Sequence, residues 1–158
     1  MVGIGNPLRG DDAAGLLVAR RAHELDPRLD VLELEGEPSR LIDAWQEADP
    51  VVVVDAVSSG AEPGTVMRFD ATAEPLPASL SAASTHALGL GEAIEIARAL
   101  DRLPARLVVF AIEGAGFEAG REPSPEVRAA IEPTARRVLA EARPEAPRVA
   151  GKQRRRAD

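Results

Sequence analysis

Three ionisable side chains stand where an α/β chain would bring them to one edge of a sheet: Asp12, Asp55 and His86. Asp12 opens a helical pattern just past the short apolar start Met1–Ile4. Asp55 ends the apolar run Val51–Val54, and His86 begins the helical pattern that follows a loop over 71–83. Two carboxylates and an imidazole make an O/O/N donor set, which suits a borderline divalent metal such as zinc or nickel and leaves coordination positions open. A histidine at a helix N-terminus feels the positive end of the dipole, which favours the neutral, metal-binding imidazole. A carboxylate at a buried strand end costs desolvation unless it is paired, and a cation would supply the pairing. Each residue also has a plainer role. Asp12, or Asp11 beside it, could cap a helix. Asp55 could cap a turn through the Ser58-Ser59-Gly60 amides, and His86 could fill a first turn.

The elements that must position these residues follow from periodicity. Met1–Ile4 reads as a very short strand running into the Gly5-Asn6-Pro7 turn. A helix capped by Asp11 or Asp12 carries Ala14, Leu17, Val18, Ala22 and Leu25 at helical spacing, and Asp26-Pro27 stops it. Val31–Leu34 is a second strand and Ser39–Ala48 a second helix. Val51–Val54 and Leu107–Ile112 are continuous apolar runs of the kind buried on both faces. Gly64–Phe69 is a further strand. Thr85 is the expected N-cap of a helix over residues 86–100. After a Gly- and Pro-punctuated loop, a last helix runs over residues 125–142, with Pro125 suited to its first turn and Pro133 expected to kink or restart it. Strands alternating with helices predict a three-layer α/β domain with a mostly parallel sheet, whose sites form outside the carboxyl ends of the strands.

Composition narrows the function classes. The 158 residues are 45% hydrophobic and 28% charged, ordinary for one globular domain with a real core. The net charge is −7. Residues 143–158 hold six basic and two acidic residues together with Pro144, Pro147 and Gly151. They read as a disordered basic tail on a single-domain body over 1–142 that carries 13 basic and 24 acidic residues. So acidic a body is a poor partner for a phosphate backbone, so no nucleic acid is expected. Cysteine is absent, which excludes disulfides, thiolate metal sites and a cysteine nucleophile. No apolar run approaches the roughly 20 residues of a membrane span, and no secretory signal is visible, so a cytoplasmic protein without membrane contact is expected.

Two other chemistries fare poorly. Gly3-Ile4-Gly5-Asn6-Pro7-Leu8 resembles the start of a dinucleotide fingerprint, but Leu8 replaces the third glycine, Pro7 removes an amide, and Asp11-Asp12 would repel phosphate. Ser58, Ser59 and Ser84 lie near Asp55 and His86 in sequence order or pattern, yet no Gly-x-Ser-x-Gly elbow exists. Arg9-Gly10-Asp11 matches an adhesion tripeptide only by coincidence, and His23 is expected at the surface.

The run from Gly3 through Asp11-Asp12 to Gly15 resembles the opening motif of the nickel-iron hydrogenase maturation proteases. Val53-Val54-Asp55-Ala56-Val57 resembles that family's second block and Ser84-Thr85-His86-Ala87-Leu88-Gly89-Leu90 its third. Pro63-Gly64-Thr65 and Ile131-Glu132-Pro133 have counterparts as well. The resemblance implies a twisted five-stranded sheet between helices, of the phosphorylase/hydrolase-like type. It implies an endopeptidase that removes the C-terminal extension of a hydrogenase large-subunit precursor after nickel insertion. It places the family's metal-contacting positions on Asp12, Asp55 and His86. The nickel would be contributed by the precursor, with no resident cofactor, and the peptidase is expected to be a monomer. The water-activating carboxylate stays open among Asp11, Asp12 and Asp55. The alternative is a non-catalytic metal-dependent binding or chaperone module for the same precursor.

Two departures stand out. The first strand is several apolar residues shorter than in relatives, which leaves open a start upstream of Met1. Glu35-Gly36-Glu37-Pro38 replaces a small Gly/Thr-rich segment beside the cleft. Glu35 and Glu37 could meet a basic residue near the scissile bond, or the segment could simply lead into a helix capped by Ser39.

Overall fold

The structure is a computed structural model that describes residues 1–35, 38–45, 48–81 and 89–143. Its strands are β1 (Val2–Ile4), β2 (Leu32–Leu34), β3 (Val51–Val57), β4 (Val66–Asp70) and β5 (Leu107–Glu113). They form one sheet in the order β2-β1-β3-β5-β4. The first four of these strands run parallel and β4 pairs antiparallel with β5, so the sheet is mostly parallel, as expected. The order reverses between β1 and β3. The connections leaving those two strands diverge to opposite sides, which opens a crevice at their carboxyl ends.

Helices α1 (Ala14–Leu25) and α5 (Pro125–Glu141) cover one face, and α2 (Pro38–Ala44) and α4 (Leu90–Ala99) the other. The pleat explains the division. Val52, Val54 and Ala56 of β3 pack with Val108, Phe110 and Ile112 of β5 against Ala14, Val18 and Ala22 of α1 and Val127 and Val138 of α5. Val51, Val53, Leu107 and Val109 pack with Leu41, Trp45 and Ile94. Every residue of β3 and β5 is buried, and each fully buried aliphatic side chain contributes about 1.5–3 kcal/mol.

Several boundaries differ from the sequence reading, each for a physical reason. β3 does not end at Val54. It continues through Asp55 to Val57, because Ala56 and Val57 still pair with Ile112 and Glu113. Asp55 therefore lies inside the strand, opposite Ala111. Within the loop expected over 71–83, residues 78–81 form the short helix α3. Helix α2 ends at Ala44, with Trp45 in the turn beyond it and its indole N–H donating to the Arg102 carbonyl at 3.1 Å. Helix α4 begins at Leu90 rather than at residue 86, with Gly89 as its N-cap and the Glu92 carboxylate accepting the Gly89 N–H at 3.2 Å. Helix α5 runs unbroken through Pro133. Pro133 and Ala129, whose carbonyl loses its partner there, both lie on the exposed side, where water can satisfy it. Thr85, Glu37 and residues 144–158 of the basic tail lie outside the described residues. No helix among the described residues is long and apolar enough to cross a membrane.

Helix α1 lies unusually close to the sheet. A Cβ on Gly15 would fall 2.2 Å from the Ile4 carbonyl oxygen and 2.4 Å from that of Val54, and one on Gly3 would fall 2.4 Å from the Gly15 oxygen. The motif glycines thus permit contact between backbones of β1, β3 and α1.

Candidate active site

The Gly5–Asp12 connection leaves β1 and folds back on itself. Gly5 has φ +153°, and a Cβ there would collide with the Asp12 carbonyl oxygen at 1.9 Å. That oxygen accepts the Asn6 N–H at 3.2 Å, and the Asp12 N–H donates to the Arg9 carbonyl at 3.1 Å. Asn6 Oδ1 accepts the Leu8 N–H at 2.9 Å. The chain then makes a 3-10 turn over Gly10–Ala13 before α1 starts. Neither aspartate caps that helix, since its N-cap is Ala13 and no side chain bonds there. The glycines that resembled a dinucleotide fingerprint instead bring Asp12 onto the end of the sheet.

Asp11 and Asp12 are adjacent and both buried, yet their environments differ. The Asp11 carboxylate accepts the Ala115 N–H at 2.7 Å and the Gly116 N–H at 3.1 Å on one oxygen, and the Ser124 N–H at 2.6 Å on the other. Its own N–H donates to the Gly116 carbonyl at 2.9 Å. Asp11 thereby holds the β5–α5 loop and the start of α5. Asp12 instead lies within electrostatic reach of Asp55, and Arg9 Nη1 stands 4.0 Å from its Oδ2.

Asp55 is 1% exposed. It sits among Val57, Leu76, Leu80, Leu90, Gly91, Val109 and Ala111, beside a recess of about 10 Å³, room for one water. The Ala56 N–H donates to its Oδ1 at 2.8 Å. Burial, and then the neighbouring Asp12 carboxylate, push the Asp55 carboxyl up to about 8, against the smaller opposing effect of the Ala56 N–H. A carboxyl that keeps its proton at neutral pH can donate it to a leaving group. It can also release it when a cation arrives.

The turn-capping role considered for Asp55 belongs to Glu113, which the sequence reading missed. Its buried carboxylate accepts the Ser59 N–H at 2.9 Å, the Gly60 N–H at 2.9 Å and the Ser59 hydroxyl at 2.6 Å. The available signal was an acid ending an apolar run, the same pattern as at Asp55. Ser59 thus belongs to a turn held by a buried carboxylate. Arg9 was passed over as well. Its Nε donates to the Phe117 carbonyl at 3.3 Å, which holds its guanidinium over Asp12. His23 is exposed, with Nδ1 3.1 Å from the Leu29 carbonyl oxygen, as expected of a surface residue.

The structure brings Asp12 and Asp55 together. His86 and Ser84 lie outside the described residues. Helix α4 begins at Leu90, after its N-cap Gly89. Among the described residues, no three His, Cys, Asp or Glu side chains converge as a metal site.

Known proteins resemble this chain in sequence and in fold. The family model described as hydrogenase maturation protease matches residues 17–141. The hydrogenase expression/formation protein HupD of Bradyrhizobium diazoefficiens is 30% identical over 148 residues, covering 89% of this chain and 77% of that one. The hydrogenase 2 maturation protease of Escherichia coli is 28% identical, covering 89% of this chain and 87% of its own. The crystal structure of the NiFe hydrogenase maturation protease HycI from Thermococcus kodakarensis superposes with a TM-score of 0.68 at 31% identity, covering 89% of each chain. On this match of sequence and fold, this chain belongs to the hydrogenase maturation protease family, a family of endopeptidases.

Proposed function

We propose that this protein removes a C-terminal extension from the large-subunit precursor of a nickel-iron hydrogenase once nickel is in place, and that it recognises the nickel as part of its substrate. The observation that carries the reading is the buried Asp12–Asp55 pair at the switch point of the sheet. Two hard oxygen donors without thiolate make a modest site for a resident metal. They are a workable reader of a metal that another protein already holds. His86 is the third proposed contact, on the strength of the Ser84–Leu90 motif. The first turn of α4, Leu90 and Gly91, lines the recess at Asp55, and the four-residue step back to residue 86 spans at most about 14 Å.

In this reading the precursor's nickel meets Asp12, Asp55 and His86 and polarises the scissile carbonyl. One of the two aspartates positions the attacking water and accepts its proton. The water oxygen bonds to the carbonyl carbon, the carbon–nitrogen bond breaks, and the proton passes to the leaving amine. No resident cofactor is required, and the peptidase acts as a monomer in the cytoplasm on one dedicated partner.

Mass spectrometry of nickel-loaded precursor, incubated with wild type and with Asp12→Asn, Asp55→Asn and His86→Ala, tests the reading. Loss of a C-terminal peptide only with wild type is expected. A precursor that wild type binds but leaves intact would instead identify a binding module. Equal cleavage of zinc-loaded precursor would overturn the nickel recognition.

A further inference from the structure

We propose that Arg9 is a specificity-determining residue that closes the Asp12–Asp55 site to free divalent cations and reserves it for a metal presented by a partner protein. This inference rests on the proposed role of the two aspartates.

The guanidinium is held in place from both ends. Its Nε donates to the Phe117 carbonyl at 3.3 Å, while the Arg9 backbone is tied into the connection after β1, its N–H donating to the Asn6 carbonyl at 3.2 Å and its carbonyl accepting the Asp12 N–H at 3.1 Å. Phe117 follows directly on the residues that the Asp11 carboxylate grips, Ala115 and Gly116. The same latch that fixes the β5–α5 loop therefore fixes the cation. Its Nη1 stands 4.0 Å from a carboxylate that is fully buried, while the arginine side chain itself is 40% exposed.

A bare divalent ion approaching Asp12 would share that carboxylate with the guanidinium at close range, where partial burial leaves the repulsion only partly screened. A metal already enclosed by a partner's anionic ligands carries little or no net positive charge. Arg9 does not repel such a centre, and its exposed terminal nitrogens can donate to those ligands in charge-assisted hydrogen bonds. One residue thus disfavours the free ion and tolerates the presented one, which is how a repulsive element confers specificity.

Isothermal titration calorimetry with nickel chloride and zinc chloride, on the full chain without precursor, tests this. Arg9→Gln should bind each ion about fivefold or more tightly than wild type. Arg9→Lys, which keeps the charge, should remain close to wild type. Adding Asp12→Asn to Arg9→Gln should abolish the gain. If Arg9→Gln binds no more tightly, if Arg9→Lys gains as much, or if the gain survives Asp12→Asn, the inference is overturned. Precursor cleavage by the same wild-type preparation shows whether the proposed function falls with it.

Discussion

Asp11 and Ser124 are 113 positions apart in sequence, yet the Asp11 carboxylate accepts the Ser124 N–H at 2.6 Å. Ser124 is also the N-cap of α5, its hydroxyl accepting the Val127 N–H at 3.4 Å. With the Ala115 and Gly116 N–H groups on its other oxygen, one buried carboxylate fastens the connection after β1, the loop after β5 and the start of the last helix. The position of Asp12 depends on this latch, because Asp11 and Asp12 share the same 3-10 turn.

Asp11→Ala should therefore act on stability first. It leaves three backbone N–H groups without their acceptor in a site that water enters poorly, a cost of roughly 3 kcal/mol or more. In a chain of this size that corresponds to a fall in Tm of about 10 °C. Asp11→Asn should cost less, since its amide oxygen still accepts on one side. Thermal unfolding followed by circular dichroism measures both, and an alanine variant as stable as wild type would refute the latch.

Gly15→Ala tests the other constraint on Asp12. The added Cβ has no room against the Ile4 and Val54 carbonyl oxygens, at 2.2 and 2.4 Å. Helix α1 must move off β1 and β3, carrying the 3-10 turn with it. A loss above about 3 kcal/mol is expected, since overpacking here meets backbone that cannot repack. Urea denaturation should show a lower midpoint with an unchanged slope.

The Asp55 carboxyl predicts a pH dependence of stability whose sign is opposite to that of most acids in folded proteins. Its value is about 8 in the fold against 3.8 for the free group. The native state therefore holds a proton that the unfolded state has lost, and stability falls as pH rises from about 4 to about 8. Asp55→Asn removes that dependence. In metal-free buffer the variant should match wild type near pH 4 and exceed its Tm near pH 8, by about 5 °C or more. Thermal scans across this range check it, and a gap that does not widen with pH counts against the buried proton. The same sign makes cation affinity at the site rise with pH up to about 8, since ligation by Asp55 must expel the proton.

Much of this arrangement was legible in the sequence, and the misses share a cause. β3 and β5 declared themselves as unbroken β-branched runs, α1 through its 3.6-residue period, and Asp12 and Asp55 through their positions near the ends of β1 and β3. Both central strands were ended too early, at Val54 and Ile112, because a charged residue reads as the end of a buried strand. Pairing decides instead, and the register carries β3 and β5 through to Val57 and Glu113. Thr85 is a stronger capping residue than Gly89. The helix nonetheless starts after Gly89, where Glu92 reaches back to its N–H. Asp11 and Asp12 could not be told apart from sequence, because their roles depend on a loop more than 100 residues away. The same distance hid the Phe117 anchor that gives Arg9 its place. His86 rests on its motif alone.

Glu113 offers the cleanest energetic test, because its partners are few and local. Its carboxylate binds the Ser59 N–H, the Ser59 hydroxyl and the Gly60 N–H, and so fixes the turn that follows β3 two residues past Asp55. Ser59→Ala removes only the hydroxyl bond and should cost about 1–2 kcal/mol, because the acceptor is charged. Glu113→Ala strands two backbone donors as well and should cost about 3 kcal/mol. In the Glu113→Ala background the hydroxyl has lost its acceptor, so the further Ser59→Ala change should be nearly neutral. The double-mutant cycle should then return a coupling of about 1–2 kcal/mol. Strict additivity of the two variants would mean that the Ser59 hydroxyl does not donate to Glu113. The carboxylate would then hold the turn through the Ser59 and Gly60 N–H groups alone.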